Sequence, residues 1–359
     1  MRIAIVAGGT GGHLYPGIAV AQQLKRWAPR AKVMFIGSQG GLAHSLLQRE
    51  GYVCYHITAS GLARRQWREQ VASLAHLLRG VGESIRILRR TQPHAVLGLG
   101  SYVAAPVMAA AGILGIPRLI HEQNVVPGLA NRLLGRLANR VAVSYRESLP
   151  YFPKGKAVVT GNPVRPAIWQ VRDRKQEPNG RCHLLVFGGS QGAHRLNMAM
   201  LEALPHLADV LEMVWIVHQT GRNDYATVQA AYLEKGYPGV VHAYLEDMAA
   251  EYGAADLAIC RAGATTIVEL TAAGKAAILV PFPYAANNHQ EQNARTLAAA
   301  GAAALIHDRD LSGSLLAERM RYYLQHPEEI AQMAARGLAL GTPDAAMRVA
   351  HLCLELCRI

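Results

Sequence analysis

Paired cysteines, long apolar runs and aromatic side chains are scarce in this 359-residue sequence, and its first 160 residues contain no aspartate. Each scarcity removes a class of protein. The cysteines (Cys54, Cys182, Cys260, Cys353 and Cys357) are odd in number and form no CxxC pair. That argues against a disulfide framework or a zinc site and fits a reducing, cytosolic compartment. No apolar stretch reaches the roughly 18 residues that would cross a bilayer. The start, MRIAIVAGGTGGH, runs from an apolar segment straight into glycines with no small-residue cleavage site, so it reads as a buried strand and not as a signal peptide. Aromatics are only 6% and are not interleaved with basic residues, and no helix-turn-helix or zinc module is present. A nucleic-acid partner is therefore not expected. GGTGGH (8–13) is not GxGxxG, and the following strand ends at Gly37-Ser38-Gln39 without the acid that grips a ribose. A dinucleotide oxidoreductase drops out, and so does a P-loop NTPase, whose GxxxxGK loop is missing. The one DxD, Asp308-Arg309-Asp310, stands ahead of an expected helix start, where acids favour the helix dipole; no metal site is expected.

What the chain does have is positive charge, and it is lopsided. The net charge is +12, yet residues 1–160 hold 20 Lys/Arg against five Glu, and the remainder is slightly acidic. An anionic surface or substrate is expected to meet the first half. With 51% hydrophobic and 17% charged residues, the chain is globular and long enough for two domains.

Short apolar runs alternate with Ala/Leu-rich helical stretches. Strands are expected at 1–7, 32–37, 95–100, 117–123 and 140–144, then at 182–187, 213–219, 256–260 and 276–281, with helices near 16–27 and 344–357. Near-continuous apolar strands separated by helices specify parallel sheets covered on both faces. The polar segment VRDRKQEPNGR (171–181) marks a join. After it, LLVFGGSQGAH (184–194) repeats the grammar of IAIVAGGTGGH (3–13): strand, Gly-Gly, hydroxyl residue, small residue, helix. The fold class is α/β, with two doubly wound, Rossmann-like domains facing a cleft.

Strands that stop at glycines and feed helices present free N–H groups and a positive dipole end, where phosphates bind. Polar residues gather at the expected carboxyl ends of the strands: Thr10 and His13; Ser101 and Tyr102; His121, Glu122, Gln123 and Asn124; Asn162 and Arg165; Ser190 and Gln191; Arg261, Thr265, Thr266 and Glu269; Asn287 to Gln290. As a set, GGTGGH (8–13), LGLGSY (97–102), HEQN (121–124), GNPVR (161–165), GGSQGA (188–193), RAGATTIVE (261–269) and HQEQNA (289–294) resemble the bacterial peptidoglycan glycosyltransferases that add GlcNAc to lipid I. The match runs in order along essentially the whole chain, departing slightly at HLYPG (13–17) and YAANNH (284–289).

The resemblance implies the two-domain GT-B glycosyltransferase architecture, with an acceptor- and membrane-facing domain over 1–162 and a UDP-GlcNAc-binding domain over 163–340. The C-terminal helix, 341–359, is expected on the first domain. It also implies inverting transfer of GlcNAc from UDP-GlcNAc to the C4 hydroxyl of MurNAc-pentapeptide on undecaprenyl diphosphate, without a cofactor. Such a reaction needs a base for the acceptor proton, donors for the leaving diphosphate, and alignment. His13 is the first candidate for base, with Glu122 its strongest rival, and His121 and His289 behind. Thr10, Gly11 and Gly12 form the first phosphate-type loop. Ser190, with the helix after GGSQGA, and Arg165 suit the leaving UDP. Glu269 suits a ribose diol, and Ala264, Thr265 and Thr266 present amides at a helix start. By resemblance the Leu245 backbone meets the uracil, while Asn124 and Gln290 read sugar hydroxyls. A UDP-GlcNAc 2-epimerase shares this layout and is the competing enzyme class.

A lipid-linked acceptor requires peripheral docking, here expected at the cytoplasmic face of the inner membrane, on its anionic surface. Between 64 and 90 apolar residues recur at 67, 71, 74, 78, 81, 85 and 88, a helical stripe flanked by Arg68, Arg79, Arg86 and Arg90. Trp67, Leu77 and Leu78 are the candidates for lipid contact, with Arg64 and Arg65 adding charge. Gly80 and Gly82 each cost about 1 kcal/mol in a helix, so one helix or two both fit this pattern.

Overall fold

Two parallel sheets, each with helices on its faces, account for the architecture of the computed structural model, which describes residues 1–8, 11–38, 42–59, 67–172 and 180–358. The chain divides into one unit of Met1–Arg165 with Thr342–Ile359 and a second of Pro166–Gly341.

In the first unit the strands are β1 (Arg2–Val6), β2 (Lys32–Ser38), β3 (Val53–Ile57), β4 (Ala95–Gly98), β5 (Arg118–Glu122), β6 (Arg140–Val143) and β7 (Ala157–Val159). They alternate with α1 (Gly11–Trp27), α2 (Leu42–Arg49), α3 (Trp67–Thr91), α4 (Ala104–Ile113) and α5 (Leu129–Leu137). Their order across the sheet is β3-β2-β1-β4-β5-β6-β7, parallel throughout. Alternate strand residues feed two cores. Ile3, Ile5, Leu97 and Leu119 pack with Leu14 and Ile18 of α1, while Ala4, Val6, Val96 and Ile120 pack with Leu88 of α3, Val107 of α4 and Leu134 of α5. Both faces are therefore dry, which is why these strands read as unbroken apolar runs.

The second unit holds α6 (Pro166–Gln170), β8 (Cys182–Phe187), α7 (His194–Ala203), β9 (Val214–Gln219), α8 (Tyr225–Lys235), β10 (Gly239–His242), α9 (Met248–Ala254), β11 (Leu257–Cys260), α10 (Ala264–Ala273), β12 (Ala276–Leu279), α11 (His289–Ala299) and β13 (Ala304–Leu305). It continues through α12 (Gly313–Gln325) and α13 (Pro327–Ala339), and the last helix, α14 (Ala345–Leu356), belongs to the first unit, where it packs on α1, β4 and β5. The order β10-β9-β8-β11-β12-β13 repeats that of the first sheet. Each order reverses beside its first strand, between β1 and β4 and between β8 and β11. Open α/β sheets take ligands at such switch points, outside the carboxyl ends of the strands.

The third helix is continuous through both of its glycines. Gly80 is there for proximity: a Cβ would fall 2.5 Å from the Thr58 carbonyl oxygen and 3.2 Å from Pro106, so only glycine lets α3 lie this close to its neighbours. Along the described part of the helix the apolar stripe divides by burial, with Val81 and Ile85 packed against the core. Leu88 is core, whereas Leu78 is exposed. Among the described residues, no helix is long and apolar enough to cross a membrane.

Candidate functional site

The first glycine loop opens α1 at the β1/β4 switch point. Gly11 and Gly12 are the first two residues of α1 and His13 the third; Thr10 lies outside the described residues. The His13 ring stands over two glycines: its Nδ1 is 3.7 Å from where a Gly8 Cβ would be, and its Cδ2 is 3.4 Å from the corresponding point at Gly100. Arg165, half-buried at the end of the first unit, lays its guanidinium 3.9 Å over the ring of Tyr15, one turn further along α1. That stacking fixes the cation near the helix start.

His121 and Glu122 end β5 beside this loop, and both are buried. His121 Nε2 lies 3.1 Å from the Gly161 carbonyl and its Nδ1 lies 3.3 Å from the Gln123 amide nitrogen. A carbonyl accepts and an amide N–H donates, so the hydrogen belongs on Nε2 and Nδ1 accepts. Burial, with His13 nearby, pushes the pKa of His121 down to about 4, so the ring is neutral at pH 7. It has no nitrogen left for a substrate proton. Burial raises the pKa of Glu122, against the pull of its hydrogen bonds. Its Oε1 accepts from the Asn124 backbone N–H (2.9 Å) and side-chain amide (3.1 Å), and its Oε2 from the Asn131 amide (2.8 Å). Glu122 thus holds the turn that carries Asn124. Among the described residues, Ser101 Oγ, Asn131 Oδ1 and both polar side-chain atoms of Asn162 are buried without a hydrogen-bond partner.

In the second unit the GGSQGA loop opens α7. Its shape depends on glycine: Gly192 has φ +79° and its Cα abuts the Thr220 carbonyl, while Gly189, at φ +90°, accepts at its carbonyl from the Gln219 side chain (3.0 Å). Ser190 is exposed on this loop. Behind it runs a polar chain. His194 meets Asp224 (2.9 Å), Asp224 accepts from Asn197 (2.7 Å), Asn197 Oδ1 meets His218 (3.2 Å), and His218 meets Tyr232 (3.3 Å).

Across the β8/β11 switch, Gly263 caps α10 without a side-chain bond, and Ala264, Thr265 and Thr266 form its first turn, where backbone N–H groups have no intrahelical acceptor. Glu269, one turn on, is buried and accepts from the Tyr252 hydroxyl at 3.4 Å. Leu245 follows β10 as a buried residue. Gln290, in the first turn of α11, accepts at its side-chain oxygen from the Phe282 backbone N–H (3.0 Å); the preceding Asn287 and Asn288 have φ of +54° and +52°. His289, at the start of α11, is turned to the Ala286 carbonyl (2.7 Å).

One reading from the sequence is corrected. Asp308 does not serve the dipole of a following helix. It pairs with Arg261 Nη1 at 2.5 Å, and both side chains are 9% exposed; α12 is capped instead by Ser312, which accepts from the Leu315 N–H (3.2 Å). A buried guanidinium requires an anion, and the helix start can be met by a hydroxyl. Arg261 also donates to the Val280 and Pro281 carbonyls (3.1 and 3.3 Å), tying the ends of β11 and β12 together. Among the described residues no group of three or more His, Cys, Asp or Glu is placed to hold a metal.

Residues 3–143 match the glycosyltransferase family 28 N-terminal domain and residues 183–349 the glycosyltransferase family 28 C-terminal domain. The chain is 44% identical, over 97% of its length and 98% of the other, to the UDP-N-acetylglucosamine–N-acetylmuramyl-(pentapeptide) pyrophosphoryl-undecaprenol N-acetylglucosamine transferase of Citrifermentans bemidjiense. The chain belongs to this transferase family. The like-named protein of Anaeromyxobacter dehalogenans is 43% identical over 100% of this chain and 94% of its own length. A crystal structure of MurG from Acinetobacter baumannii superimposes with a TM-score of 0.75 at 32% identity, covering 99% of both chains. The UDP-GlcNAc 2-epimerase of Neisseria meningitidis shares the fold alone, with a TM-score of 0.68 over 99% of this chain and 100% of its own at 14% identity. The two-sheet GT-B architecture expected from the sequence is the one the family has.

Several positioning residues of this transferase family member carry no signal in the sequence. Asn131, Asn197, Gln219 and His218 look like ordinary helix or strand polars, and their burial against Glu122, Asp224 and Gly189 exists only in the fold.

Proposed function

We infer that the chain transfers GlcNAc from UDP-GlcNAc to the C4 hydroxyl of the MurNAc-pentapeptide on undecaprenyl diphosphate, with inversion at the anomeric carbon. The end-to-end identity to transferases of that name carries the reading. His13 takes the proton of the acceptor hydroxyl. The C4 oxygen then bonds to the anomeric carbon from the face opposite UDP, the bond from that carbon to the phosphate oxygen breaks, and UDP leaves with the electron pair. His13 is favoured because it stands at a switch point, in the first turn of α1. Glu122 acts by holding Asn124, and Thr10, Gly11 and Gly12 bring the acceptor to His13.

The second unit is assigned the donor. Ser190 and the start of α7 are assigned the diphosphate; Arg165, which belongs to the first unit, is assigned as a counter-charge. Glu269 takes the ribose hydroxyls, Leu245 the uracil through its backbone, Ala264, Thr265 and Thr266 the phosphate through amides, and Gln290 a sugar hydroxyl; Asn124, which belongs to the first unit, is assigned another. No metal or other cofactor is assigned a step. Transfer of labelled GlcNAc from UDP-GlcNAc to a lipid I analogue with EDTA present tests the reading. Release of ManNAc from UDP-GlcNAc alone, without transfer, would move the chain to the epimerases.

The first unit is assigned the membrane, at the cytoplasmic face where a nucleotide-sugar donor is available. α3, α4 and α5 pack through one core on one face of the sheet. These helices expose Leu78, Ile113, Leu129, Leu133 and Leu137, and Arg86, Arg89, Arg90 and Arg136 on α3 and α5 are exposed as well. Each basic residue near an anionic leaflet contributes about 1 kcal/mol. Arg64 and Arg65 lie outside the described residues, as do the side chains of Trp67 and Arg68. Arg79 is a poor residue to reverse, because its Nε holds Glu83 (2.9 Å), which accepts in turn from Thr58. Charge reversal at Arg86, Arg89 and Arg136 is the better test: binding to anionic vesicles is lost while activity on a soluble acceptor is kept. Unchanged vesicle binding would place the membrane surface elsewhere. No nucleic-acid partner is assigned to this charge.

A further inference from the structure

Ser101 is held in a conformation that suits glycine better than serine, with its hydroxyl left unsatisfied. Its φ is +68°, in the left-handed region, and among the described residues its buried Oγ has no hydrogen-bond partner. Both features disfavour the folded state, and such pairs of costs persist where a ligand uses them. The hydroxyl lies against Gly8, 2.8 Å from where a Cβ would be, and His13 Nδ1 borders the same point at 3.7 Å. Next to it, Gly100 is packed closely: a Cβ there would lie 3.2 Å from Asn131 Nδ2 and 3.4 Å from both Asn131 Oδ1 and His13 Cδ2. Asn131 is 5% exposed, and its Oδ1 is likewise unpartnered. The orientation of this amide is fixed, since Nδ2 donates to Glu122 Oε2 (2.8 Å) and the His121 carbonyl (3.3 Å). The Ser101 hydroxyl and the His13 ring thus both border Gly8, and the Asn131 amide and the His13 ring both border Gly100.

This pair selects the chemistry of its ligand. A phosphate oxygen brings no proton for Asn131 Oδ1 and would be repelled by it. A ligand hydroxyl can accept from Ser101 and donate to Asn131 at once. We propose that Ser101 and Asn131 form a subsite for a second hydroxyl of the acceptor sugar, next to the one His13 deprotonates. In a muramyl unit that is the C6 hydroxyl, because C3 carries the lactyl ether, C2 the acetamide and C1 the diphosphate. The assignment rests on the acceptor-binding reading of the first unit. Ser101 and Asn131 are positioning residues here, holding the sugar so that C4 faces His13.

The test is a two-by-two comparison of wild type and Ser101→Gly on a lipid I analogue and its 6-deoxy-muramyl counterpart. Glycine relieves the positive φ, so the variant is expected to melt no lower than wild type, while Ser101→Ala keeps the strain and melts below Ser101→Gly. With wild type, removal of the C6 hydroxyl is expected to lower kcat/KM about tenfold, the worth of a buried polar group left unpaired. Ser101→Gly loses a similar factor on the complete acceptor and little more on the deoxy acceptor, with KM for UDP-GlcNAc unchanged. Equal losses for the deoxy acceptor in both proteins, or a wild-type kcat/KM of Ser101→Gly on the complete acceptor, would overturn the subsite. Absence of any transfer by wild type on the complete acceptor would instead remove the underlying assignment of function.

Discussion

Replacing Asp308 by alanine tests whether the second unit depends on its buried ion pair. Arg261 sits at the end of β11 and donates through Nη1 to Asp308 Oδ1 and to two carbonyls at the end of β12. Without Asp308 the guanidinium stays buried, keeps the two carbonyls and loses its charge partner. Arg195, whose Nε is 3.5 Å from the other carboxylate oxygen, is half-exposed and turns to solvent. Removing one member of a buried pair costs about 3–5 kcal/mol, since an uncompensated charge remains. For a unit of this size that corresponds to a fall in its melting temperature of about 6–20 °C. Because Arg261 precedes the start of α10 by three residues, KM for UDP-GlcNAc is expected to rise as well. Thermal unfolding followed by circular dichroism, with Asp310→Ala as an exposed control, reads the effect. The double variant Arg261→Met with Asp308→Leu should regain most of the loss, since well-packed apolar replacements of buried pairs are often neutral. A melting temperature of Asp308→Ala within about 1 °C of wild type would refute the argument, because the cost of an orphaned buried charge cannot be that small.

His13→Ala should lower turnover by about 10²–10⁴-fold while UDP-GlcNAc binding, measured by calorimetry, is kept; a Glu122→Gln variant more damaging than His13→Ala would move the base. Glu269→Ala should weaken UDP and UDP-GlcNAc alike, whereas Gln290→Ala should weaken only the sugar nucleotide; equal losses at Gln290 would contradict its role. His121 and His218 both have pKa values pushed down to about 4 by burial, so the unfolded chain binds protons that the native one refuses. Their contribution is fully present above pH 6.5 and is lost as pH falls through 4, at about 3 kcal/mol each, with the raised Glu122 partly offsetting it. A melting temperature that stays flat from pH 7.5 to pH 4.5 would contradict their burial as neutral rings. Gly192→Ala should weaken UDP-GlcNAc binding at least tenfold, because the methyl group meets the Thr220 carbonyl at positive φ; unchanged affinity would mean that the loop shape is not needed.

The sequence alone determined the interior of both sheets. The nine strands legible as apolar runs are those with neighbours on both sides, from β1 and β2 to β11 and β12. Central parallel strands are covered on both faces, so composition by itself announces them. The strands it left unmarked, β3, β7, β10 and β13, are the four edges; they are short and only partly buried, and pairing with one neighbour defines them. The two glycine loops and the order of motifs were legible for the same local reason: a loop that feeds a helix at a strand end must be written in consecutive residues. Whatever depends on partners far apart in the chain was decided by the tertiary structure. Asp308 meets Arg261 across 47 residues, His121 meets Gly161 across 40, and Gly80 is required because Thr58 lies against it. A carboxylate, an asparagine or a serine reads the same in sequence whether it faces water or a buried partner. Folding alone separates Glu122, engaged by its neighbours, from Ser101, left with a hydroxyl to offer.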